Sequence, residues 1–165
     1  MPDFKLSLDD FEIESDELLA IAIHSPGSPY YRLAHSLNKK LKWNLVNIKI
    51  AFQPPESPLC SLNVLSHTDN VNRVQYLLVE NRSGQQVWMP KMPDVDYWLV
   101  ITGAGLEFLD TNTFLNILSE TESIFSASLL PFDSLSGSGR TSPLFKYFQS
   151  LYNFLDYRGF IRNFD

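Results

Sequence analysis

The sequence predicts an α+β fold in which a mostly antiparallel sheet carries two helices on one face, followed by a C-terminal helical segment. Strand-like runs joined by short polar turns outnumber helical runs, which favours hairpins over parallel crossovers. Two segments of the core have apolar residues at helical spacing. A stretch rich in Ser and Gly then precedes an aromatic tail. We therefore expect a core domain over 1–133, a flexible linker over 134–143 and a helical segment over 144–165.

The strands are predicted from alternating or continuous apolar residues that end at Gly, Pro or polar turn residues. Residues 4–8 alternate as in a half-buried edge strand, whereas 18–23 form the apolar run of a strand buried on both faces. The other predicted strands are 46–52, 62–65, 74–79, 86–89, 95–102 and 124–130, with a hairpin tip over 66–70. With helices over 30–43 and 111–119, this order resembles a ferredoxin-like β-α-β-β-α-β arrangement with extra strands.

The first predicted helix, over 30–43, is amphipathic and basic. Apolar residues at positions 30, 33, 34, 37 and 41 form one side, which we expect to pack on the sheet. The other side carries Arg32, Lys39 and Lys40, and residues 30 to 50 contain no acid. These charges either belong to a solvated helix face that the same fold balances, or contact an acidic partner or RNA.

The C-terminal tail places Phe145, Phe148 and Tyr152 on one face of its predicted helix. Something must cover this face, because monomers rarely leave large apolar patches exposed. One alternative is docking on the protein's own core or on a second copy of the chain. The other is presentation of the helix to a groove in a partner. The tail has too few basic residues for a helix that lies on a membrane.

The composition argues against several classes of function. A formal net charge of −6 opposes generic attraction to nucleic acid or to anionic lipid, since both need a cationic surface. The first seventeen residues, which hold seven carboxylates, are unlike a signal peptide, and no apolar run is long enough to cross a bilayer. Cys60 is the single cysteine, so no intrachain disulfide forms. We expect a cytoplasmic protein with no membrane contact.

The motifs that might carry chemistry are weak. Ser66, His67 and Asp69 are too close in sequence for the geometry of a catalytic triad, and Asp94 with Asp96 is explained by turn capping. Gly103-Ala104-Gly105 lacks the third glycine of a dinucleotide-binding turn. The three histidines have no ligand spacing. We therefore expect no catalytic residue, no cofactor and no metal, and a protein that is not an enzyme.

One segment carries a family resemblance. Met89-Pro90-Lys91, followed after three residues by Val95-Asp96-Tyr97, is similar to the motif Ile-Pro-Glu, three variable residues, Val-Asp-Tyr. That motif defines the IPExxxVDY family, found mostly in Bacteroidota. The chain differs from it at Met89 and Lys91. The resemblance spans about residues 4 to 133. It implies a cytoplasmic setting and relatives of uncharacterised function, with no assigned active site.

Taken together, these features favour a non-enzymatic module that docks to another cytoplasmic protein or complex, or to a copy of itself. The candidate contact residues are Arg32, Lys39 and Lys40 on the first helix and Phe145, Phe148 and Tyr152 in the tail. A small-molecule-binding regulatory domain is the second hypothesis, with a pocket lined by Trp88, Asp96, Tyr97 and Trp98. An RNA-associated accessory protein that uses the basic helix is the third.

Overall fold

A computed structural model describes residues 17–55, 57–132 and 144–164 of the chain. The strands in the first half are β1 (Leu18–His24), β2 (Val46–Asn47), β3 (Ile50–Phe52), β4 (Cys60–Leu62), β5 (Val64–Asp69) and β6 (Val74–Glu80). They are followed by β7 (Arg82–Ser83), β8 (Gln86–Val87), β9 (Tyr97–Thr102) and β10 (Ser126–Leu129). The helices are α1 (Tyr30–Leu41), α2 (Thr111–Ser119) and α3 (Phe145–Tyr157). This composition confirms the predicted α+β class.

The main sheet has six strands in the order β10-β1-β9-β6-β5-β2, and each neighbouring pair is antiparallel. Its first four strands, taken with α1 and α2, follow the chain order β1-α1-β6-β9-α2-β10. Their spatial order is therefore fourth, first, third, second, which is the ferredoxin-like arrangement predicted from the sequence. The additional strands β5 and β2 extend the sheet beyond β6.

Both faces of the sheet are covered. Ile21 and Ile23 of β1 belong to a buried cluster with α1 and α2, as the predicted placement of two helices on one face requires. Ala20 and Ala22, which alternate with them, face the opposite cluster, to which α3 contributes. Every residue of β9 is buried for the same reason. The result is three layers, with the sheet between α1 and α2 on one side and α3 on the other.

Helix α1 begins at the predicted residue and ends at Leu41, two residues before the predicted end. Leu33, Ala34 and Leu37 are buried against the sheet, and the C-cap residue, Lys42, has a left-handed backbone with φ of 60°. The last turn contains Lys39 and Lys40, where cations interact favourably with the exposed carbonyl groups of a helix end. The apolar face predicted by helical spacing is therefore the buried face, and the basic side points outward.

Helix α2 occupies the predicted range because a cap and an apolar period agree. Asp110 is the N-cap residue, and its carboxylate accepts a hydrogen bond from the backbone N–H of Thr113 at 3.2 Å. Phe114 and Leu118, one turn apart, are buried on the sheet. Both ends of α2 thus coincide with the prediction.

Three predictions about strands are wrong. The range 62–65 is not one strand, because it contains the end of β4 and the start of β5, which belong to different sheets. The range 46–52 is not one strand, because Lys49 takes a positive φ of 24° and divides it into β2, in the main sheet, and β3, which pairs with β4 in a separate hairpin. The range 66–70 is not a hairpin tip, because β5 continues to Asp69 and the turn covers 70–73. Two other predictions, the edge strand at 4–8 and the linker at 134–143, lie outside the described residues.

The C-terminal helix packs on the protein's own sheet. Phe148 is 1 % exposed and meets the rings of Trp88 and Trp98 edge to face, with centroids 5.1 and 5.0 Å away. Beyond α3, Gln75 of β6 donates to the carbonyl of Phe160 and accepts from the backbone N–H of Arg162. The sequence left open whether the tail packs on its own core, on a second copy or in a partner's groove. In the structure, α3 packs on the core of its own chain.

Within the described residues, no helix is both long and apolar enough to cross a membrane.

Candidate functional site

The exposed side of α1 is the most strongly charged surface of the helices. Arg32, Lys39 and Lys40, three of the predicted contact residues, are all exposed there. Tyr31, beside Arg32, is 64 % exposed, so an aromatic ring is part of the same surface. Arg and Tyr are the residue types that most often contribute binding energy at protein interfaces. We call this surface the α1 basic face and define it by Tyr31, Arg32, His35, Lys39, Lys40 and Lys42.

A groove of about 400 Å³ runs along one side of the α1 basic face. Lys39, Lys40 and Lys42 line it from the helix, while Glu120 and Glu122 line it from the connection between α2 and β10. Three lysines therefore meet two carboxylates, and the groove keeps a positive balance. The same fold offsets part of the charge of the helix, as one of the two sequence interpretations requires, but it does not offset all of it.

An aromatic cluster lies at the C-terminal end of α1. Trp43 packs on Tyr76 with ring centroids 4.1 Å apart, and His67 stacks on Trp43 at 5.6 Å. The Nδ1 atom of His67 accepts a hydrogen bond from the backbone N–H of Asn44 at 3.0 Å. Burial lowers the pKa of His67, although Asp69 opposes the shift. Because Nδ1 accepts this hydrogen bond, His67 anchors the end of α1 on the sheet.

Ser66, His67 and Asp69 do not form a triad. Successive side chains of a strand point to opposite faces, so Ser66 and His67 of β5 diverge. The hydroxyl of Ser66 accepts from the side-chain amide of Gln75 at 2.9 Å on the α3 side. The carboxylate of Asp69 accepts from the backbone N–H groups of residues 71 and 72, which lowers its pKa and caps the turn. Each of the three residues thus has a structural role.

The motif that carries the family resemblance is organised by Asn81, which is completely buried. Its side-chain amide donates to the carbonyls of Met92 and Val95 at 3.0 and 2.7 Å. Its carbonyl oxygen accepts from the backbone N–H of Met89 at 3.1 Å and from the indole N–H of Trp98 at 3.2 Å. Three hydrogen bonds from one side chain therefore shape the segment 88–95, and a fourth joins it to Trp98 of β9. Sequence reasoning missed Asn81, because nothing in its spacing marks it.

The remaining motif residues hold the loop that leads into α1. The carboxylate of Asp96 accepts from the backbone N–H of Ser25 at 2.7 Å, and the hydroxyl of Tyr97 donates to the carbonyl of Ser28 at 2.5 Å. Met89 and Val95 are buried, whereas Pro90 is exposed at the turn between them. The motif thus connects β9 and the 88–95 segment to the start of α1, and its geometry is that of a packing motif.

The four residues predicted for a small-molecule pocket do not line one cavity. Asp96 and Tyr97 line a cavity of about 310 Å³ with Glu80, Arg82 and the loop before α1. Trp88 and Trp98 are instead fully buried beneath α3. That cavity contains two carboxylates and one guanidinium, and both motif side chains in it are already hydrogen-bonded to the loop.

The predicted contact residues of the tail are divided between the core and a surface cavity. Phe145 and Phe148 are core residues, so a partner would reach them only if α3 left the sheet. Tyr152 is half-buried and lines a cavity of about 650 Å³ beside Glu17, Glu107 and Arg162. Burial raises the pKa of Tyr152, and the nearby Asp156 and Glu17 carboxylates raise it further. This cavity mixes charges of both signs.

Gly103 and Gly105, which follow β9, allow the backbone there to lie close to the backbone of the turn between β5 and β6. A Cβ atom on Gly105 would lie 1.7 Å from the carbonyl oxygen of Asn72, and one on Gly103 would lie 2.5 Å from that of Arg73. The backbone N–H of Gly105 donates to the carbonyl of Arg73 at 2.9 Å. The pair therefore packs the turn after β9 against the turn between β5 and β6, a use that explains both glycines without a phosphate.

Among the described residues, no group of three or more His, Cys, Asp or Glu side chains is arranged to hold a metal ion. Comparison with known proteins yields no further assignment: no family model matches the chain, and no curated protein or solved structure matches it significantly. Among the described helices, α1 carries its cations on the side that does not pack on the sheet.

Proposed function

We propose that the protein is a non-enzymatic interaction module that binds the acidic surface of another cytoplasmic protein through the α1 basic face. The observation that carries the proposal is the concentration of Arg32, Lys39, Lys40 and Lys42 on one exposed helix side, with an exposed tyrosine beside them. The net charge of −6 places this surface on an otherwise acidic molecule. A localised positive patch of this kind steers and orients an acidic protein partner.

Two further expectations belong to this proposal. Membership of the IPExxxVDY family rests on Pro90, Val95, Asp96 and Tyr97, and it supports a cytoplasmic setting. The absence of enzymatic activity is supported by the structural roles of Ser66, His67, Asp69 and Asp96, whose hydrogen bonds are directed to backbone or side-chain groups of the fold.

The test is purification of the tagged full chain from its native host at moderate salt, with identification of accompanying proteins by mass spectrometry. The double substitution K39E/K40E reverses two charges of the α1 basic face. The matched control K49E/K91E reverses two charges at exposed lysines elsewhere. We expect a companion that is retained by the wild type and the control, lost with K39E/K40E, and released by salt because its contacts are ionic.

Two outcomes would overturn the proposal. A companion that K39E/K40E retains would place the contact elsewhere on the molecule. Material released by nuclease instead of by loss of a protein would identify RNA as the partner, and its binding would then weaken steeply with salt.

A further inference from the structure

We propose that strand β10 is a second interaction surface, and that its partner is β10 of another copy of this chain. The two strands run antiparallel across a two-fold axis and join the main sheets of both copies into one. This inference goes beyond the proposed function, because it concerns a different surface and does not depend on the α1 basic face.

The first observation is an open edge of the sheet. Among the described strands, β10 comes last in the main sheet and pairs with β1 alone. The backbone N–H of Leu130 donates to the carbonyl of Ala20 at 2.9 Å, in the register that β10 keeps with β1. Hydrogen-bonding groups alternate in direction along an antiparallel strand, so the N–H and C=O groups of Ala127 and Leu129 point away from β1. These are the backbone groups that an added strand binds.

The second observation is the lack of charge along this edge. Residues 123–132 contain no charged side chain, and helix α2, which packs beside β10, contains none either. Glu120 and Glu122, between the two elements, line the groove with the lysines of α1. A contact across a two-fold axis brings the same surface of both copies together, so like charges there would repel each other. The uncharged strip therefore suits a second copy of the chain.

The opposite edge of the main sheet has different properties. Strand β2 is only two residues long, and Lys42 and Lys49 lie close to it in the sequence. Short edge strands and nearby lysines are two means by which proteins prevent pairing with another chain. Strand β10 has four residues, none of them charged, and all are half-buried or exposed. Of the two edges, β10 is therefore the one built to accept a strand.

The third observation is that β10 is complementary to itself. Pairing through the outward groups of Ala127 and Leu129 sets Ala127 opposite the partner's Leu129, and Ser128 opposite the partner's Ser128. Leu129, which is 38 % exposed, then lies diagonal to the partner's Leu129, a position within reach of a long side chain. Phe125, which is 82 % exposed just before β10, is near the partner's Leu129 in the same arrangement. A second copy therefore covers the apolar side chains that are exposed at this edge.

Cysteine cross-linking of the full chain tests the register. Ser128→Cys places two thiols at the two-fold axis, in a pair whose Cα atoms are about 4.5 Å apart, a separation that a disulfide can bridge. Ser126→Cys, on the same face of the strand, is the matched control, because its Cα atoms are about 14 Å apart in this register. Cys60 is buried, and the wild type measures its background. With oxidised glutathione, we expect Ser128→Cys to form the covalent dimer at least about ten-fold faster than Ser126→Cys.

Sedimentation velocity over a series of protein concentrations measures the dimer itself. Leu129→Lys places two ammonium groups diagonal to each other across the two-fold axis and should raise the dissociation constant at least about ten-fold. Val46→Lys makes the same kind of change at a 54 % exposed position of β2 and should leave the dimer intact. Circular dichroism verifies that both variants are folded. High salt should not separate the copies, because the contact is not ionic.

Several results would overturn the inference. A wild type that stays monomeric at every concentration would show that β10 does not bind a second copy. Equal cross-linking of Ser126→Cys and Ser128→Cys, or a dimer that folded Leu129→Lys leaves intact, would place the contact elsewhere. K39E/K40E should leave the dimer unchanged, and loss of the dimer in that variant would place the second copy on the α1 basic face. If Leu129→Lys does not fold, the comparison of the two cysteine variants decides alone.

Discussion

The side chain of Asn81 stabilises most of the loop at 88–95. Its side chain makes four hydrogen bonds in a completely buried position, and its backbone N–H also donates to the carbonyl of Asp96 at 3.0 Å. A buried amide of this kind is favourable only when each donor and acceptor is matched. The segment 88–95 contains no strand or helix after β8, so its shape depends on these bonds.

The substitution Asn81→Leu is expected to lower the free energy of unfolding by about 3 to 4 kcal/mol. Leucine has the same number and branching of side-chain heavy atoms but leaves the indole N–H of Trp98, the N–H of Met89 and the carbonyls of Met92 and Val95 without their partner. Urea denaturation measures the change. Asn116→Leu, at an exposed position of α2, should change stability by less than about 0.5 kcal/mol. A loss below 1 kcal/mol for Asn81→Leu would contradict this account, using about 1 kcal/mol as the net value of a single hydrogen bond.

Tyr97 makes stability depend on alkaline pH. Burial raises the pKa of its hydroxyl, and the Glu80 and Asp96 carboxylates raise it further, so the folded state favours the neutral phenol. Stability from this group is complete below the pKa of the unfolded state, near about 10, and is lost as pH rises above that value. The slope approaches about 1.4 kcal/mol per pH unit for one tyrosine.

Tyr97→Phe is therefore expected to have two effects. At neutral pH it should lose about 1 kcal/mol, because the bond to the Ser28 carbonyl is absent. Above pH about 10 its stability should fall less steeply than that of the wild type. Tyr76, Tyr152 and Cys60, whose pKa values burial also raises, contribute to the slope that remains. Denaturation series between neutral pH and pH 11 measure both effects, and identical alkaline slopes would refute the role of Tyr97.

At the scale of elements, prediction succeeded where two local signals agreed. The range of α2 was predictable because Asp110 marks its start while Phe114 and Leu118 keep the helical period. Strand β1 was predictable because a strand covered on both faces has an unbroken apolar run. The ferredoxin-like order followed from the sequence of strands and helices. These are local signals, and they survive in the fold because packing reinforces them.

Prediction failed where distant residues decide the local structure. The break between β2 and β3 lies at Lys49, which has a positive φ. Lysine rarely adopts a positive φ, so the sequence does not indicate a break at this position. The polar residues at the end of β5 looked like a turn, yet His67 stacks on Trp43, which lies 24 positions earlier in the sequence. For the candidate site, Arg32, Lys39 and Lys40 were predicted to be exposed, whereas the opposing Glu120 and Glu122 become neighbours only in the fold.

The substitution Phe148→Ala tests the packing of α3. The ring of Phe148 fills the space between Trp88, Trp98 and Phe132 at 1 % exposure, so its removal should cost about 3 to 5 kcal/mol of stability. Phe108→Ala removes a ring that is 83 % exposed and should cost less than about 0.5 kcal/mol. Chemical denaturation of both variants makes the comparison. If they were equally stable, α3 would not be held on the sheet by this face.

At the scale of the whole molecule, one sheet joins two hydrophobic clusters. The cluster under α1 and α2 and the cluster under α3 use alternate residues of the same strands, so β1 contributes Ile21 to one and Ala22 to the other. Neither cluster can lose its sheet without exposing the other. This arrangement makes α3 part of the same cooperative fold as the sheet.

The last prediction follows from that cooperativity. The amides of α3 should exchange with solvent deuterium as slowly as those of β9, because both should exchange only when the entire fold opens. A helix of 13 residues is marginally stable alone, so any protection beyond fraying must come from its contacts with the sheet. Hydrogen exchange followed by mass spectrometry compares the peptides that cover the two elements. Phe148→Ala should then accelerate exchange in β9 as well as in α3. Rapid exchange of α3 beside a protected β9 would instead identify the tail as an independent appendage that opens by itself.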